Sequence, residues 1–254
     1  MQRYGLIGRA LGHSFSEAYF TEKFQREGLP DHRYSPFELA RIDEFPALLA
    51  SQPELRGLNV TIPYKQEIIP YLTALDPLAA AVGAVNTVDL RDGKRIGYNT
   101  DVFGFRSLVE PILGQLREPY SDIRPRALVL GSGGASRAVA FVLREAGIRF
   151  RVVSRDRTRG ELTWDMMDRT VLSVCKLIIN TTPLGMYPEI QEEPPLPYEA
   201  LTPKHVLVDL IYNPEKTRFL ARGEEMGART IGGLGMLRAQ AEEAWRIWNA
   251  DPHD

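Results

Sequence analysis

The chain alternates short apolar runs with segments in which apolar residues recur every three or four positions. Apolar runs of this length predict strands, and the longer period predicts helices. The first half is predicted to contain strands at 3–7, 34–38 and 58–62, helices at 16–27, 42–51 and 102–113, and a hairpin around 91–94. This order is typical of a sheet with crossover helices.

A second series of the same kind begins at Ala127, after the polar, proline-bearing stretch 114–126, which is predicted to be a loop or linker. The proline-rich stretch 188–203 is predicted to be irregular and exposed. The second half is predicted to contain strands at 128–130, 149–153, 177–180 and 206–210, and helices at 137–146 and 236–248. The last helix has one apolar face, formed by Leu237, Ala241, Ala244, Trp245 and Trp248.

These elements predict an α/β fold with two α/β domains and a cleft between them. The first domain is assigned to residues 1–101 and is joined by the C-terminal segment 236–254, and the second domain is assigned to residues 102–235. A glycine-rich turn after an all-apolar strand gives the second domain a Rossmann-type, dinucleotide-binding character. Clefts between domains commonly hold ligands.

Composition narrows the class of protein. With 31 basic and 33 acidic residues the net charge is −2, which provides no basic excess for nucleic acid or an anionic membrane surface. No apolar run approaches the ~20 residues of a membrane helix, and the start lacks the apolar region of a signal peptide. The single Cys175 lies in an apolar run and is predicted to be a core residue in a reducing, cytoplasmic compartment. Four scattered histidines give no zinc-type spacing, so no metal is expected.

The glycine-rich turn is the first candidate binding feature. It comprises Gly131, Ser132, Gly133, Gly134, Ala135 and Ser136, and it follows an apolar strand and opens a helix. Glycines in this context let backbone N–H groups approach a pyrophosphate at the helix N-terminus. The alternative is a tight strand-to-helix turn without a ligand.

The stretch 154–159 bears on the choice of dinucleotide. Ser154 stands at the strand end where an NAD-binding protein would place an acidic residue, and Arg155 and Arg157 could hold a 2′-phosphate. NADP is therefore favoured over NAD. Asp156 could instead take the ribose hydroxyl or pair with an arginine, and a charged surface turn is the simplest alternative.

Several polar residues of the first half could carry chemistry. Pro63 predicts the start of a helix, and Lys65 would then lie in the first turn, where a cation is mildly disfavoured. A lysine at that position either has no role or takes part in the chemistry. Ser14 and Ser16 could each cap a helix or together bind a carboxylate. Asp101 stands immediately before a predicted helix, and an isolated aspartate there is more often an N-cap than a catalyst; Asn86 has a similar ambiguity. His13, beside a turn, is left outside the catalytic set.

Taken together, these motifs closely resemble the shikimate dehydrogenases. The matching blocks occur in family order from residue 7 to residue 241, and they are IGRALGHSFS, GLNVTIPYKQ, VGAVNTV, GYNTD, GSGGASRA, NTTPLGMYP, DLIYNP and GGLGMLRAQA. Ordered blocks over nearly the whole chain are far more specific than one glycine motif.

The resemblance implies NADP-linked, reversible reduction of 3-dehydroshikimate to shikimate, a step of the chorismate pathway toward aromatic amino acids. It implies that residues 1–101 bind the substrate and residues 102–235 bind NADP. The substrate carboxylate would be held by Ser14, Ser16 and Tyr212, and the ring hydroxyls by Thr61, Lys65, Asn86, Asp101 and Gln240, with Lys65 and Asp101 as the acid–base pair. The cofactor would contact Gly131 to Ser136, Ser154, Arg155, Arg157, Thr182, Leu210 and Gly233.

The chain departs from the family pattern at a few positions. It has Ala10 and Glu17 where proline is usual, and Ser154-Arg155-Asp156 where the phosphate loop usually starts Asn-Arg-Thr. Two alternatives therefore stay open, a quinate/shikimate dehydrogenase that uses NAD and a non-catalytic dinucleotide-binding sensor. The expected partner is the small-molecule substrate, with no nucleic acid or membrane, and the protein is expected to be a monomer or homodimer.

Overall fold

A computed structural model describes residues 1–12, 15–113 and 126–250. The chain divides into two compact units, one formed by Met1–Thr100 with Gln240–Asp254 and the other by Asp101–Ala239. Each unit is built on its own sheet flanked by helices, so the predicted α/β class is confirmed. Ser14, His13 and nearly all of the predicted linker lie outside the described residues.

The sheet of the first unit is mixed. Its described strands are β1 (Gln2–Gly8), β2 (His32–Glu38), β3 (Leu55–Val60), β4 (Ala74–Leu75), β5 (Thr87–Asp89) and β6 (Ile96–Tyr98), in the order β2-β1-β3-β5-β6-β4. Strand β1 is parallel to β2 and β3, whereas β5 is antiparallel to β3 and to β6. The pair β5 and β6 is the predicted hairpin. The helices of this part are α1 (Phe15–Arg26), α2 (Phe45–Ser51) and α3 (Pro77–Val82).

An aromatic cluster closes the core of the first unit. Tyr4 of β1 packs against Phe24 of α1 and against Trp248, with a ring separation of 4.9 Å to Trp248. Trp248 belongs to α8 (Leu234–Asn249), is 1% exposed and donates its indole N–H to the Val88 carbonyl at 3.0 Å. The apolar face predicted for the last helix therefore covers the first sheet.

Gly57 lies directly beneath that indole. A Cβ at Gly57 would stand 2.3 Å from Nε1 of Trp248, well inside contact distance. We expect Gly57→Ala to lower the free energy of unfolding by about 1–3 kcal/mol, because the fully packed ring must move. Thermal unfolding followed by circular dichroism checks this.

Gly235→Ala is the matched control for that variant. A Cβ at Gly235 would come no closer than 3.4 Å to Leu108, and alanine favours the helix in which Gly235 stands. Its melting temperature should equal or exceed that of the natural chain. Equal melting temperatures for Gly57→Ala and the natural chain would contradict the packing described for Trp248.

The sheet of the second unit is parallel throughout its described strands. These are β7 (Arg126–Leu130), β8 (Arg149–Val153), β9 (Cys175–Asn180), β10 (Val206–Asp209) and β11 (Arg229–Ile231), in the order β11-β10-β9-β7-β8. The helices are α4 (Thr100–Leu113), α5 (Gly134–Glu145), α6 (Arg169–Val174) and α7 (Arg218–Glu225), with α8 beginning here. Because the chain leaves β7 toward β8 on one side and reaches β9 on the other, the strand order reverses at β7, where sheets of this class bind ligands.

The core of the second unit tests two predictions made from the sequence, one for Cys175 and one for the proline-rich stretch 188–203. Cys175 is buried in this core, as predicted. The proline-rich stretch was predicted to be exposed, which is wrong for its second half, because Leu196, Tyr198 and Leu201 are buried in the same cluster. Apolar side chains gain free energy by leaving water even where the backbone is irregular, so they join the core.

The helix predicted at Pro63 is also wrong. Residues 62–68 form consecutive turns, the Ile62–Pro63 peptide is cis, and β3 ends at Val60. The carbonyl of Lys65, which a helix would use within itself, accepts the N–H of Val85 at 2.7 Å. Pairing with a distant segment therefore replaces the helical hydrogen bond.

Candidate functional site

Lys65 lies on a turn that is anchored by its neighbour. Tyr64 is fully buried, and its hydroxyl donates to the carbonyl of Leu39 at 2.5 Å. Lys65 itself is half-buried, and its carbonyl is bonded to Val85 as described above. Both flanking contacts are made by fixed parts of the core, so the base of the Lys65 side chain has a defined position.

A buried polar network lies where β5 begins and β6 ends. The Oδ1 of Asn86 accepts the backbone N–H of Thr100 at 2.7 Å, and its Nδ2 donates to Oγ1 of Thr100 at 3.0 Å and to Oε1 of Gln240 at 3.3 Å. Asn86 and Thr100 are 4% and 1% exposed. The structure thus brings together Asn86 and Gln240, two predicted site residues that are far apart in sequence.

Asn59 extends this network. Its Oδ1 accepts the hydroxyl of Tyr34 at 2.8 Å, and its Nδ2 donates to Oγ1 of Thr87 at 3.1 Å. Sequence reasoning missed both Asn59 and Thr100 as members of the site. The available signal for Asn59 was a polar residue between the apolar residues Leu58 and Val60 of β3.

The remaining predicted residues of the first half occupy strand and helix ends. Thr61 follows β3, and its N–H donates to the carbonyl of Ile7 at 2.9 Å. Ser16 lies in the first turn of α1 and is half-buried, and Asp101 lies in the first turn of α4 and is 1% exposed. Ser14 falls outside the described residues.

The glycine-rich turn leaves the carboxyl end of β7 and runs into α5. Gly131 has φ +106°, and a Cβ there would lie 2.8 Å from Oγ1 of Thr181, so glycine is required. Gly133 is the N-cap of α5, and a Cβ there would meet nothing within 4 Å. Glycine offers no side-chain acceptor to the first N–H groups of the helix, which is the arrangement that lets a phosphate accept them. Ser136 is buried and donates to the Gly133 carbonyl at 2.6 Å.

The loop after β8 is tied to the glycine-rich turn. The hydroxyls of Ser132 and Ser154 are 3.0 Å apart, and the guanidinium of Arg159 donates to the Ser132 carbonyl at 3.1 Å. Arg155 and Arg157 are exposed in the same loop. Their charges therefore stand close in sequence to a serine that contacts the turn.

The carboxylate of Asp156 is engaged within its own loop. Its Oδ1 accepts the backbone N–H and the hydroxyl of Thr158, both at 2.8 Å. These hydrogen bonds hold the pKa of Asp156 below its usual value. The described contacts of this carboxylate are thus with Thr158, with Arg159 acting on it only through its charge.

The ends of β9 and β10 supply the other predicted cofactor residues. The hydroxyl of Thr182 donates to Oδ1 of Asn180 at 2.6 Å, and the N–H of Leu210 donates to the Asn180 carbonyl at 3.1 Å. A Cβ at Gly233 would lie 2.3 Å from the Leu210 carbonyl oxygen, so only glycine fits there. Tyr212 follows two residues after Leu210, and burial raises its pKa.

These placements gather one set of predicted residues at one edge of the second sheet. Parallel strands bring their carboxyl ends to the same edge, and that edge is where open α/β sheets bind ligands. The residues brought together there are Gly131, Ser132, Ser154, Thr182, Leu210 and Gly233.

Within residues 1–12, 15–113 and 126–250, no group of three or more His, Cys, Asp or Glu side chains could hold a metal ion. Over those same ranges, none of the helices combines the length and the apolar character needed to cross a membrane.

The parallel sheet with its reversed strand order and a glycine-rich turn after the first strand is that of a Rossmann-type α/β protein. The sequence of residues 6–88 matches the family model of the shikimate dehydrogenase substrate binding domain. The chain is 36% identical to the shikimate dehydrogenase (NADP(+)) of Desulforamulus reducens, over 96% of this chain and 88% of that protein. The chain therefore belongs to the shikimate dehydrogenase family, as its sequence motifs suggested.

Solved structures extend this result over the whole chain. A crystal structure of shikimate 5-dehydrogenase from Thermus thermophilus, in complex with NADP(H) and shikimate, has a TM-score of 0.83 and 32% identity, covering 100% of this chain and 96% of that one. Quinate dehydrogenase from Corynebacterium glutamicum, in complex with NAD, also has a TM-score of 0.83, at 27% identity, covering 98% of this chain and 93% of that one. The similarity in fold therefore does not by itself separate the two activities.

Proposed function

We propose that this protein catalyses the NADP-dependent, reversible reduction of 3-dehydroshikimate to shikimate, a step toward the aromatic amino acids. The observation that carries the proposal is the joint presence of two arrangements in a chain of this family. One is the glycine-rich turn with its serine and arginine loop, and the other is the buried network of Asn86 and Gln240 beside the anchored turn of Lys65. We assign substrate binding to residues 1–101 with 236–254, and cofactor binding to residues 102–235.

The second unit suits NADP on its own geometry. Open space over Gly133 and the uncapped start of α5 fit a pyrophosphate, and Ser154, Arg155 and Arg157 fit a 2′-phosphate. Thr182, Leu210 and Gly233, at the neighbouring strand ends, would hold the nicotinamide half. When bound, NADP supplies the group that accepts or donates the hydride.

Lys65 and Asp101 would handle the proton of the reacting hydroxyl. A hydride leaves an alcohol carbon only as the hydroxyl proton is removed, and in the reverse direction the forming alkoxide must gain a proton. The Lys65 ammonium can stabilise the developing negative charge and donate that proton. The Asp101 carboxylate can accept a hydrogen bond from the same hydroxyl and orient it.

The buried network would position the ring. The amide of Asn86 has a fixed orientation, because its oxygen accepts the Thr100 N–H and its nitrogen donates to Thr100 and Gln240. An oriented amide discriminates between hydroxyl positions better than a freely rotating one. Thr61 would contact another ring hydroxyl, and Ser14, Ser16 and Tyr212 would hold the substrate carboxylate.

Steady-state rates with shikimate and quinate, each with NADP and NAD, test the proposal. We expect the pair of shikimate and NADP to have the highest kcat/KM. The rates are measured from the absorbance of the reduced cofactor. Fastest turnover of quinate with NAD would identify the alternative enzyme, which Asp156 in the phosphate loop favours. Tight NADP binding without turnover of either substrate would identify a sensor.

Arg155→Ala tests the cofactor assignment. Loss of a charge-assisted contact with the 2′-phosphate should raise KM for NADP by ~10-fold or more and leave KM for NAD nearly unchanged. Arg149→Ala is the matched control, since Arg149 is an exposed arginine at the opposite end of β8. Equal effects of Arg155→Ala on both cofactors would argue against a phosphate site in this loop.

A further inference from the structure

Two fully buried polar side chains end the neighbouring strands β9 and β10. Asn180 and Asp209 are paired in register as the last residues of those strands, and both are 0% exposed. The carboxylate of Asp209 accepts three hydrogen bonds. They come from Nδ2 of Asn180 at 3.1 Å, the N–H of Ile211 at 3.0 Å and the hydroxyl of Thr217 at 2.6 Å.

Through these bonds a single carboxylate reaches two segments at the ligand edge. Asn180, held by Asp209, accepts the backbone N–H of Thr182 at 3.0 Å and its hydroxyl at 2.6 Å. The bond to Ile211 fixes the chain between Leu210 and Tyr212. The Ile211 carbonyl in turn accepts the N–H of Gly233 at 3.1 Å.

Burying this carboxylate away from water costs free energy of folding. Burial raises the pKa of Asp209 to about 6, even though three hydrogen bonds favour the ionised form. A buried charge is weak evidence of a stabilising role, since apolar side chains of similar size often serve stability as well or better. The hydrogen bonds that Asp209 makes to Asn180 and Ile211 indicate a role in holding the ligand edge of the sheet.

We propose that Asp209 is a positioning residue for the nicotinamide half of the cofactor. Acting through Asn180 and Ile211, it holds Thr182 and the segment from Leu210 to Tyr212 in the arrangement that this half requires. The inference rests on the proposed function. It adds a residue that touches neither substrate nor cofactor but determines where the contacting residues stand.

The test compares two probes, NADP and 2′-phospho-ADP-ribose, which is NADP without its nicotinamide. Dissociation constants for both are measured by titration calorimetry. In Asp209→Ala the Nδ2 of Asn180 and the N–H of Ile211 both lose their acceptor, so we expect NADP to bind ~10-fold more weakly while 2′-phospho-ADP-ribose binds as before. The kcat for shikimate should fall with it.

Asp209→Asn supplies the rescue by a conservative variant. Its amide oxygen can take the place of Oδ1 and accept from Nδ2 of Asn180 and the N–H of Ile211, while its amide nitrogen donates to the hydroxyl of Thr217. We expect the ratio of the two dissociation constants in Asp209→Asn to lie within about threefold of the natural value, and a ratio shifted as far as in Asp209→Ala would contradict a role based on these hydrogen bonds.

Thr217→Val is the structural control. It removes one hydrogen bond from the same carboxylate on the side of α7, where Thr217 is the N-cap. Its melting temperature should fall, but the ratio of dissociation constants should not move. A ratio that shifts equally in Thr217→Val and Asp209→Ala would overturn the inference, since general loosening would explain both.

The outcomes separate this inference from the proposed function. A natural chain that neither binds NADP nor turns over shikimate removes the proposed function. A natural chain that does both, with an unchanged ratio in Asp209→Ala, removes the positioning role alone. Should Asp209→Ala fail to fold, Asn180→Ala decides, because Asp209 acts on Thr182 through Asn180 and an unchanged ratio there contradicts the positioning role.

Discussion

Lys65→Ala should lower kcat for shikimate oxidation by at least ~10²-fold, the range lost when a general acid–base group is removed. The dissociation constant for NADP should stay nearly unchanged, because the proposed cofactor residues all belong to other segments of the chain. The turn that carries Lys65 is anchored by Tyr64 and Val85, so truncation of the exposed part of the side chain leaves the backbone in place. NADPH absorbance measures the rate, and titration calorimetry measures cofactor binding.

Lys94→Ala is the control for this variant. Lys94 is an exposed lysine of the same unit, and its removal subtracts the same charge. Its kcat and KM should match those of the natural chain. Near-normal turnover in Lys65→Ala would remove Lys65 from the mechanism.

Asp101→Asn should lower kcat by ~10²-fold as well, since the amide keeps the shape of the side chain but loses the charge that orients the reacting hydroxyl. Asp101 is almost fully buried at the start of α4, so a change of size would confuse a loss of function with a loss of packing. The rate should be measured at saturating shikimate and NADP, with a melting curve on the same sample.

Two further variants sharpen the result for Asp101. Asp31→Asn removes an exposed carboxylate of the chain and should leave kcat unchanged. The double variant of Lys65→Ala and Asp101→Asn should be little slower than either single variant, because residues that act as one unit have non-additive effects. Fully multiplicative losses would mean that the two side chains act on separate steps.

Much of the fold followed from the hydrophobic pattern. Strands of a parallel sheet are covered on both faces, so β7 and β9 contain short all-apolar runs, 127–130 and 177–179, that are easy to recognise. The glycine-rich turn was placed correctly because it needs only local sequence, a strand before it and a helix after it. Periodic apolar residues located α8 for the same reason.

Errors arose where distant contacts override local preference. Pro63 is a sound local signal for a helix start, yet the Lys65 carbonyl bonds to Val85, which no window around Pro63 contains. Tyr198 sits among prolines and still packs in the core. Local propensity is a weak prior in both places.

The limits for the site have the same origin. Sequence motifs supplied Asn86 and Gln240 as separate candidates, whereas their hydrogen bond depends on the return of α8 to the first unit. Asn59 and Asp209 lie inside the matching blocks GLNVTIPYKQ and DLIYNP, but the blocks alone do not distinguish them from their neighbours. Their importance lies in which donors surround them, and that is determined by register and strand order.

The helix that bears Trp248 also determines the order in which the molecule can be completed. Residues 101–239 are contiguous, whereas the first unit takes residues from both sides of them. The sheet of Tyr4 and Gly57 is synthesised before α8, so the aromatic side chains that Trp248 contacts lack that partner until the whole intervening unit has been made. The unit that is begun first is therefore the one that is completed last.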